Sequence, residues 1–203
     1  KNKGTGTKYI MKKGKLVILT APSGTGKTSI CRELLKRNKD WNFSVSVTTR
    51  PERKGEVDGK DYIFMDSDKF EHHVKFGEFI EWEWVHGYKY GTLFSTIDNA
   101  LDDNKVLILD IDVKGGQSIY EEYEDDCITF FVEPPGDNLA EKLEILEERL
   151  NNRGNENSTL IKRRLQRVSK ELEQKEKFEH HIINENLKEA TNQIESIIKE
   201  KIK

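Results

Sequence analysis

The sequence predicts an α/β fold, a parallel sheet flanked by helices with smaller parts inserted into the chain. Three observations carry this. Residues 16–19 (LVIL), 106–109 (VLIL) and 128–132 (ITFFV) are short unbroken apolar runs, the pattern of strands buried on both faces. Residues 21–28, Ala-Pro-Ser-Gly-Thr-Gly-Lys-Thr, join the first of these runs to a helix-period segment at 29–37. The second run ends in Asp110, with Ile111 and Asp112 after it.

Strand, Gly-rich turn, Gly-Lys-Thr, helix is the context of a phosphate-binding P-loop. Gly24 and Gly26 admit positive φ, so consecutive N–H groups turn inward at the positive end of a helix dipole. Lys27 then reaches the β- and γ-phosphates, and the Thr28 hydroxyl ligates Mg²⁺. The loop departs from the usual pattern at its first position, where Ala21 replaces glycine. That methyl group is tolerable at negative φ and costly at positive φ.

The remaining elements follow in order. In residues 41–49 (WNFSVSVTT), Phe43, Val45 and Val47 alternate with Asn42, Ser44 and Ser46, as in a half-buried strand. Residues 50–61 (RPERKGEVDGKD) have the composition of a solvated loop. Arg50 and Arg53 within it equally suit a phosphate, which the planar guanidinium binds bidentately. Residues 62–65 read as a short strand and 66–76 as a helix capped at Asp66 or Ser67. Residues 79–85 (FIEWEWV) alternate, with Phe79, Glu81 and Glu83 on one face, an arrangement that fits a wet strand face. Residues 88–92 (YKYGT) read as a turn. A hydrophobic strand ending in Asp110 matches the second nucleotide-binding element of P-loop folds, where the carboxylate holds Mg²⁺ through water. A helix opens near Gly115, and a charged helix occupies 137–150. Arg149, Arg153, Arg163, Arg164 and Arg167 follow closely, among enough acidic residues to suit a salt-bridged surface as well. The last strand is expected at 181–183 and the last helix at 187–199.

Composition excludes several classes. The net charge is −3 with both signs interspersed, which gives no case for nucleic-acid or membrane partners. No apolar run approaches the roughly 20 residues of a membrane span, and residues 1–14 read as a basic tail without a signal-peptide core. Cys31 and Cys127 have no metal-ligand spacing and read as reduced thiols of a cytoplasmic protein. The pairs His72–His73 and His180–His181 diverge on a helix and a strand, so neither chelates a metal.

The segments APSGTGKTS, FSVSVTTRPERKGEVDGKDYIF, FGEFIEWEWVHGYKYGT, VLILDIDVKGGQ, FFVEPP, RLNNRG with IKRRL, and HIINENLKEA occur in one order from residue 15 onward. Together they resemble the guanylate kinase family. The resemblance implies a core of residues 15–43, 96–137 and 170–203, a GMP-binding subdomain near 44–95 and a helical lid near 138–169. It also implies reversible phosphoryl transfer from ATP to GMP or dGMP with Mg²⁺, and no obligate protein partner.

Roles carried over by this resemblance are as follows. Ser23, Gly24, Thr25, Gly26, Lys27, Thr28, Ser29 and Asn184 would bind ATP, with Asn184 near the adenine. Arg50, Arg53, Glu56, Tyr62 and Tyr90 would serve the GMP phosphate. Glu81 would accept from guanine N1–H and N2–H₂, Ser46 would donate to O6, and Gly91 and Thr92 would lie alongside. Asp110 or Asp112 would approach the base, and Thr28 and Asp110 would hold Mg²⁺. Lys27, Arg50, Arg149, Arg153 and Arg164 would stabilise the transferring phosphoryl group.

The chain departs from the family at Ala21, at Pro51-Glu52, and between Pro135 and Arg149, a stretch longer by about six residues or about two helical turns. The alternatives are a non-catalytic guanylate kinase-like binding module and a monophosphate kinase for another base such as AMP or UMP. Lys27, Thr28, Arg50, Arg53 and Asp110 argue against the first, and Glu81 with Ser46 against the second.

Overall fold

A computed structural model of the chain describes residues 14–85, 87–152 and 158–203. The chain runs β1 (Lys15–Thr20), α1 (Lys27–Arg37), β2 (Asn42–Phe43), β3 (Val47–Thr48), β4 (Ile63–Phe64), α2 (Ser67–Lys75), β5 (Phe79–Val85) and β6 (Tyr88–Leu93). It continues through α3 (Phe94–Asp102), β7 (Val106–Asp110), α4 (Val113–Tyr123), β8 (Cys127–Glu133), α5 (Leu139–Asn152), α6 (Ser158–Leu172), β9 (His180–Ile183) and α7 (Leu187–Lys201).

Five strands form a parallel sheet in the order β2-β7-β1-β8-β9. Along β1, Val17 and Leu19 face one core with Ile30, Leu34, Ile194 and Ile198 of α1 and α7. Leu16 and Ile18 face the other, with Ile97 and Leu101 of α3 and Ile119 of α4. Both faces are covered, which is why these strands read as unbroken apolar runs. Gly116 lets α4 lie close on β1, since a Cβ there would come within 3.0 Å of the Thr20 methyl and 3.1 Å of Ile18.

The second sheet has the order β4-β3-β6-β5, with β6 antiparallel to both neighbours. Its core is Val47, Phe70 and Phe79, and Phe70 stacks on Phe79 at 4.4 Å between centroids.

Four sequence expectations are corrected. The segment 41–49 is two strands, because the chain leaves the parallel sheet after Phe43 and enters the second at Val47. Ser44 N–H still donates to Ile108 O before the chain departs. The segment 88–92 is strand rather than turn, paired to β5 along Lys89, Tyr90 and Gly91. The helix α3 has no counterpart in the sequence reading, although Ile97, Ala100 and Leu101 have helical spacing and are buried.

The fourth correction concerns β5. Its register shifts between Phe79 and Glu81, so that Phe79 opposes Leu93 while Glu81 opposes Thr92. One extra residue in a strand reverses the face of everything beyond it. Phe79 and Trp82 therefore both pack on Phe70. Glu81 and Glu83 point the other way, into the cleft between the sheets.

Candidate active site

The cleft begins at the P-loop. Gly24 and Gly26 have φ of +91° and +102°, and a Cβ on Gly26 would lie 2.6 Å from Asn184 Nδ2. Asn104 is the only non-glycine residue with positive φ among those described, so Ala21 carries no left-handed strain. Its methyl packs against the core instead. Helix α1 opens at Lys27, which leaves first-turn N–H groups and the positive end of the helix dipole facing the loop.

Register brings the carboxylate to this loop. In the parallel pairing of β1 with β7, Leu19 lies opposite Asp110, so Asp110 emerges level with the loop's start. Lys27 Nζ is 2.9 Å from Asp110 Oδ1 and also donates to Ile111 O. Thr28 Oγ1 donates to Asp110 Oδ2 at 2.7 Å. Ser29 is exposed one residue further along the helix. Asp112 is placed differently, as the N-cap of α4, where it accepts from Gly115 N–H at 2.7 Å. It still lines the cleft beside Glu81.

Across the cleft, Arg50 is held on several sides. Its Nη2 donates to Glu56 Oε1 at 2.7 Å and its Nη1 to Pro51 O at 2.7 Å. The guanidinium lies 5.2 Å from the Tyr62 ring centroid and 5.6 Å from that of Phe64. Glu56 also accepts from Arg53 N–H at 2.8 Å, so one carboxylate folds the loop and orients Arg50. The Arg50 hydrogen bond first, and the Arg53 N–H next, hold Glu56 below the usual carboxylate range. The Arg53 side chain is exposed.

Glu81, Ser46, Tyr62, Tyr90 and Asp112 line one pocket of about 320 Å³. Burial pushes the Glu81 carboxyl up to about 7. Thr92 beside it pulls the other way, and the charges of Asp112 and Glu83 add to the rise. Gly91 is required on the facing strand, because a Cβ there would fall 2.9 Å from the Glu81 carbonyl oxygen. The pocket opens toward a larger cavity of about 590 Å³ shared by Thr28, Asp110, Ser46, Glu56 and Tyr62.

Two arginines of α5 and α6 reach the P-loop. Arg149 donates to Asn184 O at 3.0 Å and to Thr25 O at 3.4 Å. Arg164 donates to Ser23 Oγ at 3.1 Å. Leu146 and Leu150 of α5 pack over Gly24. Arg153 lies outside the described residues. Asn184 sits buried behind the loop, its side-chain amide donating to Thr25 O at 2.7 Å.

Glu83 reaches the same pocket as Glu81, which the alternation read only as a wet strand face. The clue available in the sequence was its spacing of two from Glu81.

The guanylate kinase family model matches residues 13–201. The chain is 41% identical over 187 residues to a guanylate kinase of Thermotoga maritima, covering 92% of this chain and 87% of that one. It is 39% identical over 185 residues to one of Chlorobium chlorochromatii, covering 91% and 94%. The crystal structure of guanylate kinase from Anaplasma phagocytophilum superposes with a TM-score of 0.72 at 29% identity, covering 94% of this chain and 87% of that one. Among the described residues no helix is long and apolar enough to cross a membrane. With the family model matching nearly the whole chain and relatives of about 40% identity covering most of it, the chain belongs to the guanylate kinase family.

Proposed function

We propose that this chain catalyses ATP + GMP ⇌ ADP + GDP. The carrying observation is that one cleft joins the Lys27–Asp110–Thr28 cluster to Arg50, Tyr62, Tyr90 and Glu81. A P-loop hydrolase needs no second cationic and phenolic phosphate seat, nor a buried carboxylate beyond it.

ATP phosphates would lie on the P-loop amides and Lys27, with Arg149 and Arg164 turning onto them from their present P-loop contacts. The GMP phosphate would be held by Arg50, Arg53, Tyr62 and Tyr90. Glu81 would accept from guanine N1–H and N2–H₂ and Ser46 would donate to O6. Adenine lacks that donor arrangement and leaves the buried groups unpaired. Asp112 has one carboxylate oxygen on Gly115 N–H, so its other oxygen is the one available toward the base.

Thr28 and Asp110 supply an all-oxygen donor pair beside the P-loop, the chemistry that suits Mg²⁺. That ion, when bound, would supply positive charge against the charge on the phosphate oxygens. No side chain acts as nucleophile. A GMP phosphate oxygen forms the new bond to the γ-phosphorus as the bond to the ADP oxygen breaks. The second sheet (near 44–95) and the lid (near 138–169) would close over the cleft and exclude water. Two unpaired cysteines and nucleotide substrates support a cytoplasmic setting.

A coupled assay of ADP formation with Mg²⁺-ATP tests this reading. Turnover that needs GMP or dGMP and fails with AMP and UMP is the expected result. GMP binding without turnover would identify a non-catalytic module instead.

A further inference from the structure

Glu133 ends β8 as a buried carboxylate that none of the roles above uses. Each of its oxygens meets a lysine. Lys142 Nζ, in the first turn of α5, donates to Oε2 at 2.7 Å. Lys175 Nζ, in the 3₁₀ turn (Lys175–Lys177) that follows α6, stands 3.5 Å from Oε1. One carboxylate of the core sheet thus takes hold of the entry to α5 and the exit from α6 together. The chain between Glu133 and α5 begins Pro134-Pro135-Gly136. Gly136 has φ of +128°, and a Cβ there would lie 3.0 Å from the Lys142 backbone nitrogen. The chain therefore doubles back, and α5 starts beside the carboxylate that precedes it.

The far end of α5 returns to the same residue. Arg149 stands seven positions after Lys142, two turns along one helix face. It donates to Asn184 O at 3.0 Å, and Asn184 N–H donates to Glu133 O at 2.8 Å. These contacts close a ring from the Glu133 carboxylate through Lys142, α5, Arg149 and Asn184 to the Glu133 carbonyl. The Asn184 side chain joins the ring to the P-loop through Thr25 O.

We propose that Glu133 is a positioning residue for Arg149, fixing the root of α5 on the core sheet so that the guanidinium meets the P-loop at a set reach. The proposal rests on the reading of α5 and α6 as a lid whose arginines serve the transferring phosphoryl group. Seven helical positions make a stiff arm of about 10 Å between Lys142 and Arg149. With its root held, the arm can pivot but cannot slide. Removing the carboxylate leaves both ammonium groups without their partner and frees the root.

Amide hydrogen exchange of the free full chain, together with steady-state kinetics, tests this on Glu133→Ala and on the milder Lys142→Met. Both variants should exchange faster across residues 139–150, with α7 unchanged. Both should lower kcat roughly tenfold or more while the KM for ATP stays within about threefold, because a misplaced arm costs most in the transition state. Combined with Arg149→Ala, neither should lower kcat further, since the arm has then lost the group it positions. Glu133→Gln, which keeps an acceptor for Lys142, should lie between wild type and alanine. Unchanged exchange over 139–150 in both variants would overturn the proposal. So would a lowered melting temperature with normal kcat, or losses that add to that of Arg149→Ala. If wild type shows no GMP-dependent turnover, the kinase reading fails, while the exchange of α5 still decides whether Glu133 holds it.

Discussion

The ammonium of Lys27 lies 2.9 Å from the carboxylate of Asp110, at the point where β7 ends level with the P-loop. The pairing holds the lysine extended over the loop before any nucleotide arrives. Thr28 occupies the other carboxylate oxygen, so the three side chains form one arranged cluster.

Lys27→Met should therefore remove transfer and spare the fold. A fixed cation aimed at the transferring phosphoryl group is expected to contribute roughly 10²–10³-fold in kcat. Because Lys27 takes no part in either sheet core, the melting temperature should stay within a few degrees. The ADP assay and a thermal melt on one preparation check both halves, and near-normal turnover would contradict the assignment.

Glu81→Gln should separate the two substrates. The amide turns a donor toward guanine N1–H where the carboxylate accepts, so kcat/KM for GMP should fall by roughly 10²-fold or more. ATP affinity should hardly change, because Lys27 and the P-loop stand at the other end of the cleft. Equal loss for both nucleotides would show that Glu81 does not read the base.

The P-loop, the Asp110 strand and most of the parallel sheet were legible because each is set by local sequence. Gly24 and Gly26 declare a turn, and the apolar runs declare buried strands. What was hidden depends on partners far along the chain. The split at residues 44–46 follows from two sheets competing for one segment. The side taken by Glu81 follows from a bulge that simple alternation cannot register, and it is the bulge that separates Phe79 in a core from Glu81 in a pocket. Residues 88–92 read as a turn, yet the strand β6 they lie in pairs with β5 throughout.

Glu81 also predicts a pH dependence. Its pKa of about 7 in the folded chain stands above the ordinary 4.5, chiefly through burial. On the proposed role GMP binding needs the ionised form, so below pH 7 binding is expected to expel a proton. Apparent GMP affinity should fall toward tenfold per pH unit, or about tenfold by pH 6. Stability has the opposite sign. Between pH 4.5 and 7 the folded chain binds the proton and the unfolded chain does not, so the Glu81 contribution is greatest at low pH and declines as pH rises through that window. Titration calorimetry at pH 6 in buffers of different ionisation enthalpy should show proton release with wild type and none with Glu81→Gln.

Glu56 should act on GMP entirely through Arg50. Its carboxylate accepts from Arg50 Nη2 at 2.7 Å and from Arg53 N–H at 2.8 Å, and a negative charge has no favourable contact to offer a phosphate directly. Removing it frees the guanidinium to leave the Tyr62 and Phe64 rings. Glu56→Ala is expected to raise the KM for GMP roughly tenfold, about the effect of one misplaced charge-assisted hydrogen bond. A direct electrostatic penalty on the phosphate would instead make Glu56→Ala bind GMP more tightly. The double-mutant cycle distinguishes these outcomes. If Glu56 only positions Arg50, then Arg50→Ala with Glu56→Ala should be no worse than Arg50→Ala alone, a non-additivity expected of residues in contact. Additive losses would mean that Glu56 reaches the substrate by a second route, through the fold of the 50–56 loop around Arg53.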